Sequence, residues 1–447
     1  MNGNNIIRKA LRRFWDCELI EELPKSLPLV EEFCENRLAS ETFADTDVLF
    51  IQHHLGSFIP RLHVMLNHGL EASRCWFVDI PYSTNKCVCE QLHKMGFPEN
   101  QRAKPFDDPI APYSRRQLER VAYIVRLLAN QDNKRRLLVV DAGAYFMQTL
   151  NHLIFRDRNL VMSFKERGTR IVEQTTRGYL YLQKKEGREM LKSLNIPAVS
   201  IARTNAKNSL ESPFIGAAVS RAILRALKNS ARLNGGLGRV LIIGFGAVGQ
   251  ATTQQLLAEL KPDKPIHVWD KEWDTLQKEI EKVGAHVLKA FPEKGPYNCV
   301  IGCTGKASFP VNKVEILAND AVLVSGSSGA VEFNREKFID LAYKHDRDDF
   351  YVIEPEKTRN FGIHATLEMQ KGGKRFSFLN AGFPINFDGR LECLPALIIQ
   401  ITHGLLLAAC KETLYQKPGL HKLNQGDDNW FNERGLYWID RYSTQAL

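Results

Sequence analysis

The stretch "RVLIIGFGAVGQA", Arg239–Ala251, decides how this chain is read. Val240–Ile243 is a short apolar run that suits a buried parallel strand. Gly244-Phe245-Gly246-Ala247-Val248-Gly249 follows at once and opens the helical segment "QATTQQLLAEL". Strand, turn and helix in that order are the setting in which G-x-G-x-x-G binds a dinucleotide. Gly244 permits the tight turn, Gly246 lets the backbone approach a pyrophosphate, and Gly249 lets the helix pack near the strand. The amides of the helix N-terminus then face the phosphates. The next strand, "PIHVWD", ends in Asp270, where a ribose-binding acid is expected. A carboxylate there favours NAD over NADP, whose extra phosphate it repels. "VIGCTGKASF" (Val300–Phe309) ends a further strand at Thr304-Gly305, and "VLVSGSSG" ends another in small residues. Small residues at both ends leave room for a flat ligand over the sheet edge. The competing reading is an α/β domain whose glycines only ease packing.

With 447 residues the chain exceeds one simple core, and two domains are expected. A hydrophobic content of 44% with 25% charged residues is that of an ordinary globular protein. The net charge of +9 is spread over short, separated runs such as "RKALRRF" (Arg8–Phe14) and "NKRR" (Asn133–Arg136). These read as solvated faces, and no nucleic-acid partner is expected. Nine cysteines form no disulfide framework, and Cys87-Val-Cys89 is not a CxxC, so no metal site is expected. A reducing compartment fits, with the cytoplasm as the default. No run is long and apolar enough for a membrane span, and the N-terminus has no signal core.

Along the chain, residues up to about 45 read as helical and peripheral. Strands are expected at Asp47–Gln52, "CWFVDIPYS", Arg135–Gly143, "GTRIVEQTTRG" (Gly168–Gly178) and "IPAVSIA". Helices lie between them, one of them capped by Ser83 or Thr84 and ended by Gly96. A long helix, "SPFIGAAVSRAILRALKNSAR", leads to the chain break "NGGLG" (Asn234–Gly238). Further strands are expected at Arg239–Ile243, Pro265–Trp269, Cys299–Gly302 and Ala321–Ser325, with a tight hairpin at "MQKGGKR" (Met369–Arg375). An apolar helix from about Pro395 to Cys410 precedes a polar tail. Alternating strands and helices give an α/β fold with mostly parallel sheets.

The order of these pieces resembles the adenosylhomocysteinase family over roughly residues 47 to 410. The resemblance implies two Rossmann-like domains, a substrate-binding domain built from both chain ends and a central NAD-binding domain. The corresponding ranges are 1–210, 211–375 and 376–447, the last returning to the substrate domain. It implies a tightly bound NAD that oxidises a ribose hydroxyl, so that a neighbouring proton leaves, homocysteine is eliminated, water adds, and the NAD is returned. "VEQTTRG" is similar to the family's Glu-Glu-Thr-Thr-Thr-Gly, which gives Thr175 and Thr176 contacts with NAD and puts Arg177 in place of the third threonine. "NAKNSLES" is similar to the segment with the catalytic lysine and aspartate, giving those positions to Lys207 and Glu211. "LNAG" resembles the segment whose asparagine approaches the nicotinamide, here Asn380. His53 or His54 matches the histidine of the first substrate-domain motif, with a one-residue ambiguity. Other positions depart from the family. Ala142 stands at a catalytic aspartate, Gln174 at the substrate-binding glutamate, Ser328 at a histidine, and Phe383 replaces the histidine of Gly-His-Pro. Asp141 and Glu332 are kept.

The cofactor half is thus retained while proton-transfer and adenosine-recognition groups are changed. Lys207 is the best remaining general acid or base, because burial beside a cationic nicotinamide lowers a lysine pKa. Glu211, four residues on, orients the amine if the segment is helical; a plain surface pair is the bland alternative. Lys207, Gln174 and a histidine at 53 or 54 suffice for oxidation of a hydroxyl on a nucleoside-like or thioether substrate. His364 is expected near the domain cleft and His403 packed on its apolar helix. A simpler NAD-dependent dehydrogenase and a non-catalytic NAD-binding regulator remain alternatives. The family resemblance also implies a homodimer or homotetramer.

Overall fold

The computed structural model of the chain describes residues 3–17, 21–131, 135–228, 237–260, 262, 264–327, 329, 331–345, 350–353 and 362–444. Asn133, Lys134, Asn234–Gly236 and Ser328, singled out above, lie outside these residues. The strands β1 (Thr46–Gln52), β2 (Cys75–Asp79), β3 (Arg136–Asp141), β4 (Arg170–Glu173) and β5 (Pro197–Ser200) form one parallel sheet. A second sheet contains β6 (Val240–Ile243), β7 (Ile266–Trp269), β8 (His286–Leu288), β9 (Tyr297–Gly302), β10 (Leu317–Ser325), β11 (Phe350–Ile353), β12 (Thr366–Lys371) and β13 (Lys374–Phe378). The chain then returns, and β14 (Gly419–Lys422) pairs parallel with β5. The strand orders are β14-β5-β4-β3-β1-β2 and β11-β12-β13-β10-β9-β6-β7-β8. Both sheets are doubly covered by helices, which is why β1 and β2 are buried along their whole length.

The second sheet is parallel except at one edge, where β11, β12 and β13 run antiparallel. The expected hairpin is the β12–β13 turn, with Gly372 and Gly373 at φ 59° and 72°. Both residues need the left-handed region, as a two-residue hairpin turn demands. The domain boundary expected at residue 375 falls inside β13. β8, β11 and β14 were not expected; each has only three or four residues, too few to show a period.

Other local expectations are corrected by side-chain hydrogen bonds. The helix Lys86–Lys94 is capped by Asn85, whose side chain accepts from Cys87 N, rather than by Ser83 or Thr84. Ser83 Oγ instead donates to Ile80 O at 2.9 Å, and Thr84 Oγ1 donates to Asp79. β4 stops at Glu173 and does not run to Gly178, because Thr175 Oγ1 accepts from Gly178 N at 2.9 Å and starts the helix Thr176–Gln183. The N-terminal region is less peripheral than its polarity suggests: helix Pro28–Arg37 buries Leu29, Val30, Phe33 and Cys34. The polar tail is a helix, Gln425–Thr444, that buries Phe431 and Ile439. It packs on the apolar helix Ala396–Thr413, where a Cβ at Gly404 would overlap the Phe431 ring.

Among the described residues, no helix is long and apolar enough to cross a membrane. A Gly404→Ala chain is expected to lose about 1–3 kcal/mol of stability, the usual cost of overpacking a fitted contact. Urea denaturation followed by tryptophan fluorescence checks this through Trp430, which lies 4.9 Å from Phe431.

Candidate functional site

The glycine loop folds as its sequence dictates. Gly244 has φ 96°, and its amide donates to Trp269 O at 2.9 Å. A Cβ on Gly249 would overlap Gly244 O, so only glycine lets the helix Ala247–Gln255 approach β6 this closely. Gly246 is different: a Cβ there would meet nothing within 4 Å, and Gly246 and Ala247 are exposed at the helix start. Open space over a helix N-terminus is what a pyrophosphate requires. Phe245 is buried, Val248 is partly buried, and both pack in the core beneath the loop. Asp270 ends β7 beside the loop and accepts from Phe245 N at 2.8 Å and Glu272 N at 2.9 Å. The acid is thereby held at the loop with further lone pairs left for a ribose.

On the β9 side of the loop, Thr304 and Gly305 are both engaged by Glu332. Its carboxylate accepts from Thr304 Oγ1 at 2.9 Å, Gly305 N at 2.6 Å and Ser327 Oγ. Burial raises the pKa of Glu332, and these donors act against the rise. Glu332 therefore shapes the two loops, while the amide and hydroxyl assigned to the cofactor are already used. Asn380 is likewise committed. Its Nδ2 donates to Pro384 O and Phe387 O at 2.8 and 2.9 Å, and its Oδ1 lies 2.8 Å from His364 Nδ1. It sits at φ 51° in a left-handed run with Ala381 and Gly382. His364 is thus the partner that fixes this turn.

Across from the glycine loop, the parallel strands of the first sheet end in a polar row. Lys207 begins a π-helical turn, Lys207–Glu211, and its Nζ donates to Gln174 O at 3.3 Å. Glu211 points away into the core, where it accepts from Thr402 Oγ1; burial raises its pKa, with Lys207 opposing. The structure thus brings Lys207 to the backbone of Gln174 and sets Glu211 behind it. Thr176 is exposed at the helix start, whereas the hydroxyl of Thr175 is used as a cap and as a donor to Glu173 at 2.7 Å.

The two candidate histidines differ in packing. His54 stacks on Phe58 at 5.0 Å and meets the edge of Phe77, inside the core, and burial lowers its pKa to about 4. His53 retains some accessible surface and lies between Phe387, stacked at 4.7 Å, and Ser83. Burial, then the Lys207 charge, lowers its pKa to about 3, so it is neutral. Ser83 Oγ already donates to Ile80 O and must accept from His53 Nδ1 at 2.7 Å. That network assigns the proton to Nδ1 and leaves the Nε2 lone pair available. His403 is buried, as expected of a packed histidine, and lies 2.9 Å from Ser57 Oγ. Ser57 also bonds Glu392, whose pKa burial pushes up to about 7.

Two groups of this row passed unnoticed in the sequence as a pair. Asp141 and Glu173 are register partners at the ends of β3 and β4, and both are fully buried. Glu173 accepts from Ala144 N at 2.8 Å and Thr175 N at 2.7 Å; Asp141 accepts from Phe146 N at 2.8 Å. Burial raises both pKa values, and the charge of Asp141 raises that of Glu173 further. Two neighbouring buried carboxylates disfavour each other's ionisation, so the pair binds protons more tightly than free carboxylates do. The available signal was an acid closing each of two neighbouring apolar strands, "VVD" and "IVE". Cys299 and Cys303 are buried thiols with raised pKa and act as packing. Among the described residues, no cluster could hold a metal ion.

No family model matches the chain. Uncharacterized proteins from two strains of Mycobacterium tuberculosis are each 24% identical over 417 residues, covering 90% of this chain and 72% of theirs. Among solved structures, a phosphoglycerate oxidoreductase from Rhizobium etli is 13% identical, covers 54% of this chain and 77% of its own, and has a TM-score of 0.24. The hetero-hexameric glutamate dehydrogenase from Thermus thermophilus, in its Leu-bound form, is 13% identical with coverages of 74% and 63% and a TM-score of 0.25. At these scores neither bears on the site.

Two outcomes follow from the geometry. Gly246→Val is expected to leave the unfolding midpoint nearly unchanged yet weaken NAD binding at least about tenfold, since only a ligand would meet the new side chain. Gly249→Ala is expected to lose about 1–3 kcal/mol through overlap with Gly244. Calorimetric unfolding with NAD titration separates the two. For Asp141 and Glu173, folded-state pKa values above the unfolded ones mean that the folded chain binds more protons. Their contribution is then complete below the ordinary carboxylate range and is lost as pH rises through the raised values. Between about pH 5 and about pH 8, the wild-type midpoint is expected to fall more steeply than that of Asp141→Asn. Parallel slopes in the two proteins would contradict the raised carboxyl pKa values.

Proposed function

We propose that this chain is an NAD-dependent oxidoreductase built on an adenosylhomocysteinase-like plan, with altered proton-transfer groups. The observation that carries the reading is the glycine loop: Gly249 is closed by packing, Gly246 is open above it, and Asp270 is anchored beside it. The proposal includes a substrate-binding domain from both chain ends and a central NAD-binding domain. The return of β14 to the first sheet supports that arrangement. A homodimer or homotetramer belongs to the same proposal.

When bound, NAD supplies the hydride acceptor. The chain's own groups do the rest. Lys207 Nζ is held by Gln174 O, and its charge helps keep His53 neutral. Together they offer a proton donor or acceptor and an imidazole lone pair to a substrate hydroxyl. Glu211 anchors the lysine segment from behind through Thr402. Ala142 and Phe383 carry no proton, and Phe383 stacks on Tyr82 at 5.2 Å. Ordinary adenosylhomocysteine hydrolysis is therefore outside the proposal; oxidation of a hydroxyl on a nucleoside-like or thioether substrate is within it.

Denaturing release of nucleotide from the purified chain, read by mass spectrometry, tests the cofactor. Reduced-nicotinamide absorbance during addition of nucleosides and thioethers tests the chemistry. The expected result is stoichiometric NAD that becomes reduced by one substrate class. Lys207→Met is expected to keep its NAD and slow the reduction by about 10²–10⁴-fold. A chain that releases no NAD and cannot be loaded with it sinks the proposal.

A further inference from the structure

Arg177 lies where the two sheets meet, in the first turn of the helix Thr176–Gln183. It is half-buried, and its Nη1 donates to the Tyr145 hydroxyl at 3.1 Å, with the guanidinium 5.4 Å from the Tyr145 ring centre. Among the described residues, no carboxylate forms an ion pair with it, and Asp141 acts on it only through space. A guanidinium offers a planar fork of five N–H donors, and a neutral phenol answers only one. Taking such a charge out of water without a counter-charge is costly.

The surrounding groups add donors. Tyr145 and Tyr113 hydroxyls are 3.1 Å apart, Tyr113 also faces the Tyr82 hydroxyl, and all three rings are buried. At the far end of the row, Gly329 N donates to Tyr82 at 3.0 Å. The row Tyr82–Tyr113–Tyr145 thus receives an N–H at both ends, and its three O–H protons meet only two phenol–phenol contacts, which leaves one to donate elsewhere. Gly329 leaves the guanidinium room, since a Cβ there would lie 2.5 Å from Arg177 Nη1. A positive fork beside a proton-rich phenol row lacks one thing, an anionic oxygen.

The geometry points to a subsite for an oxyanion, a carboxylate or a phosphate group, on Arg177 and the Tyr82–Tyr113–Tyr145 row. That the oxyanion belongs to the substrate rests on the oxidoreductase reading above; the subsite itself does not. Arg177 holds the oxyanion through paired N–H bonds, and the phenols supply the third contact. The substrate is then an acidic molecule.

Isothermal titration of the full chain with inorganic phosphate and with succinate, at ionic strength fixed by chloride, tests the subsite. Saturable binding of at least one anion is expected. In Arg177→Gln it is expected to weaken about tenfold or more, the loss of a charge-assisted contact. Arg177→Lys keeps the charge but not the fork and is expected to fall between. Preference for phosphate or for succinate names the acceptor. Equal affinity in the wild type and Arg177→Gln overturns the subsite, as does failure of both anions to bind. NAD release is measured on the same samples. A chain without NAD whose anion binding still depends on Arg177 refutes the oxidoreductase reading and leaves the subsite standing.

Discussion

Gly249 approaches the carbonyl of Gly244 so closely that no side chain fits between them. This contact between two backbones fixes the helix Ala247–Gln255 against β6 and aims its free amides over the sheet edge. A second approach supports it. In the helix Ser212–Lys228, a Cβ on Gly216 would lie 2.5 Å from the Ala251 carbonyl carbon. The helix that follows the Lys207 turn is thereby seated on the helix of the glycine loop. Lys207 and the loop belong to different sheets, and their relative placement depends on these two glycine contacts. Side chains would add width here, and packed interiors absorb such width poorly.

Charge is buried around this frame in an orderly way. Glu332 gathers Thr304, Gly305 and Ser327, joining the ends of β9 and β10. Arg335, also buried, donates to the carbonyls of Pro109, Ala111 and Ala381 and lies over Phe383 at 4.5 Å. It ties the segment after β2 to the left-handed turn that carries Asn380. Each group costs desolvation energy that its hydrogen bonds offset, although Arg335 Nε is buried without a partner among the described residues. Asp141 and Glu173 use a different solution and keep a proton. Among the described residues, Arg177 bonds one phenol and no carboxylate, whereas Arg335 bonds three carbonyls.

The positions that depart from the adenosylhomocysteinase pattern have coherent surroundings. Phe383 stacks with Tyr82 and meets the edge of Tyr113 at 5.3 Å, so an aromatic cluster stands where the family pattern has a histidine. Arg177, in place of a threonine, meets that cluster from the other side through Tyr145. The changes at Phe383 and Arg177 are neighbours through the three tyrosines.

By itself the sequence determined what depends on near neighbours in the chain. The apolar runs of β1, β3, β6, β9 and β10 were legible because a strand buried on both faces needs continuous apolar residues. The glycine loop was legible because strand, turn and helix are contiguous. Tertiary structure alone decided what depends on distant partners. It separated His53 from His54, since adjacent residues point to different surroundings, one against Phe387 and the other against Phe58. It turned Thr175 into a helix cap, paired Asp141 with Glu173, and made the polar tail a packed helix. It also placed Arg177 against three tyrosines drawn from segments far apart in sequence. Hydrogen bonds and burial between remote segments leave no period in the chain, so they appear only once the sheets are assembled.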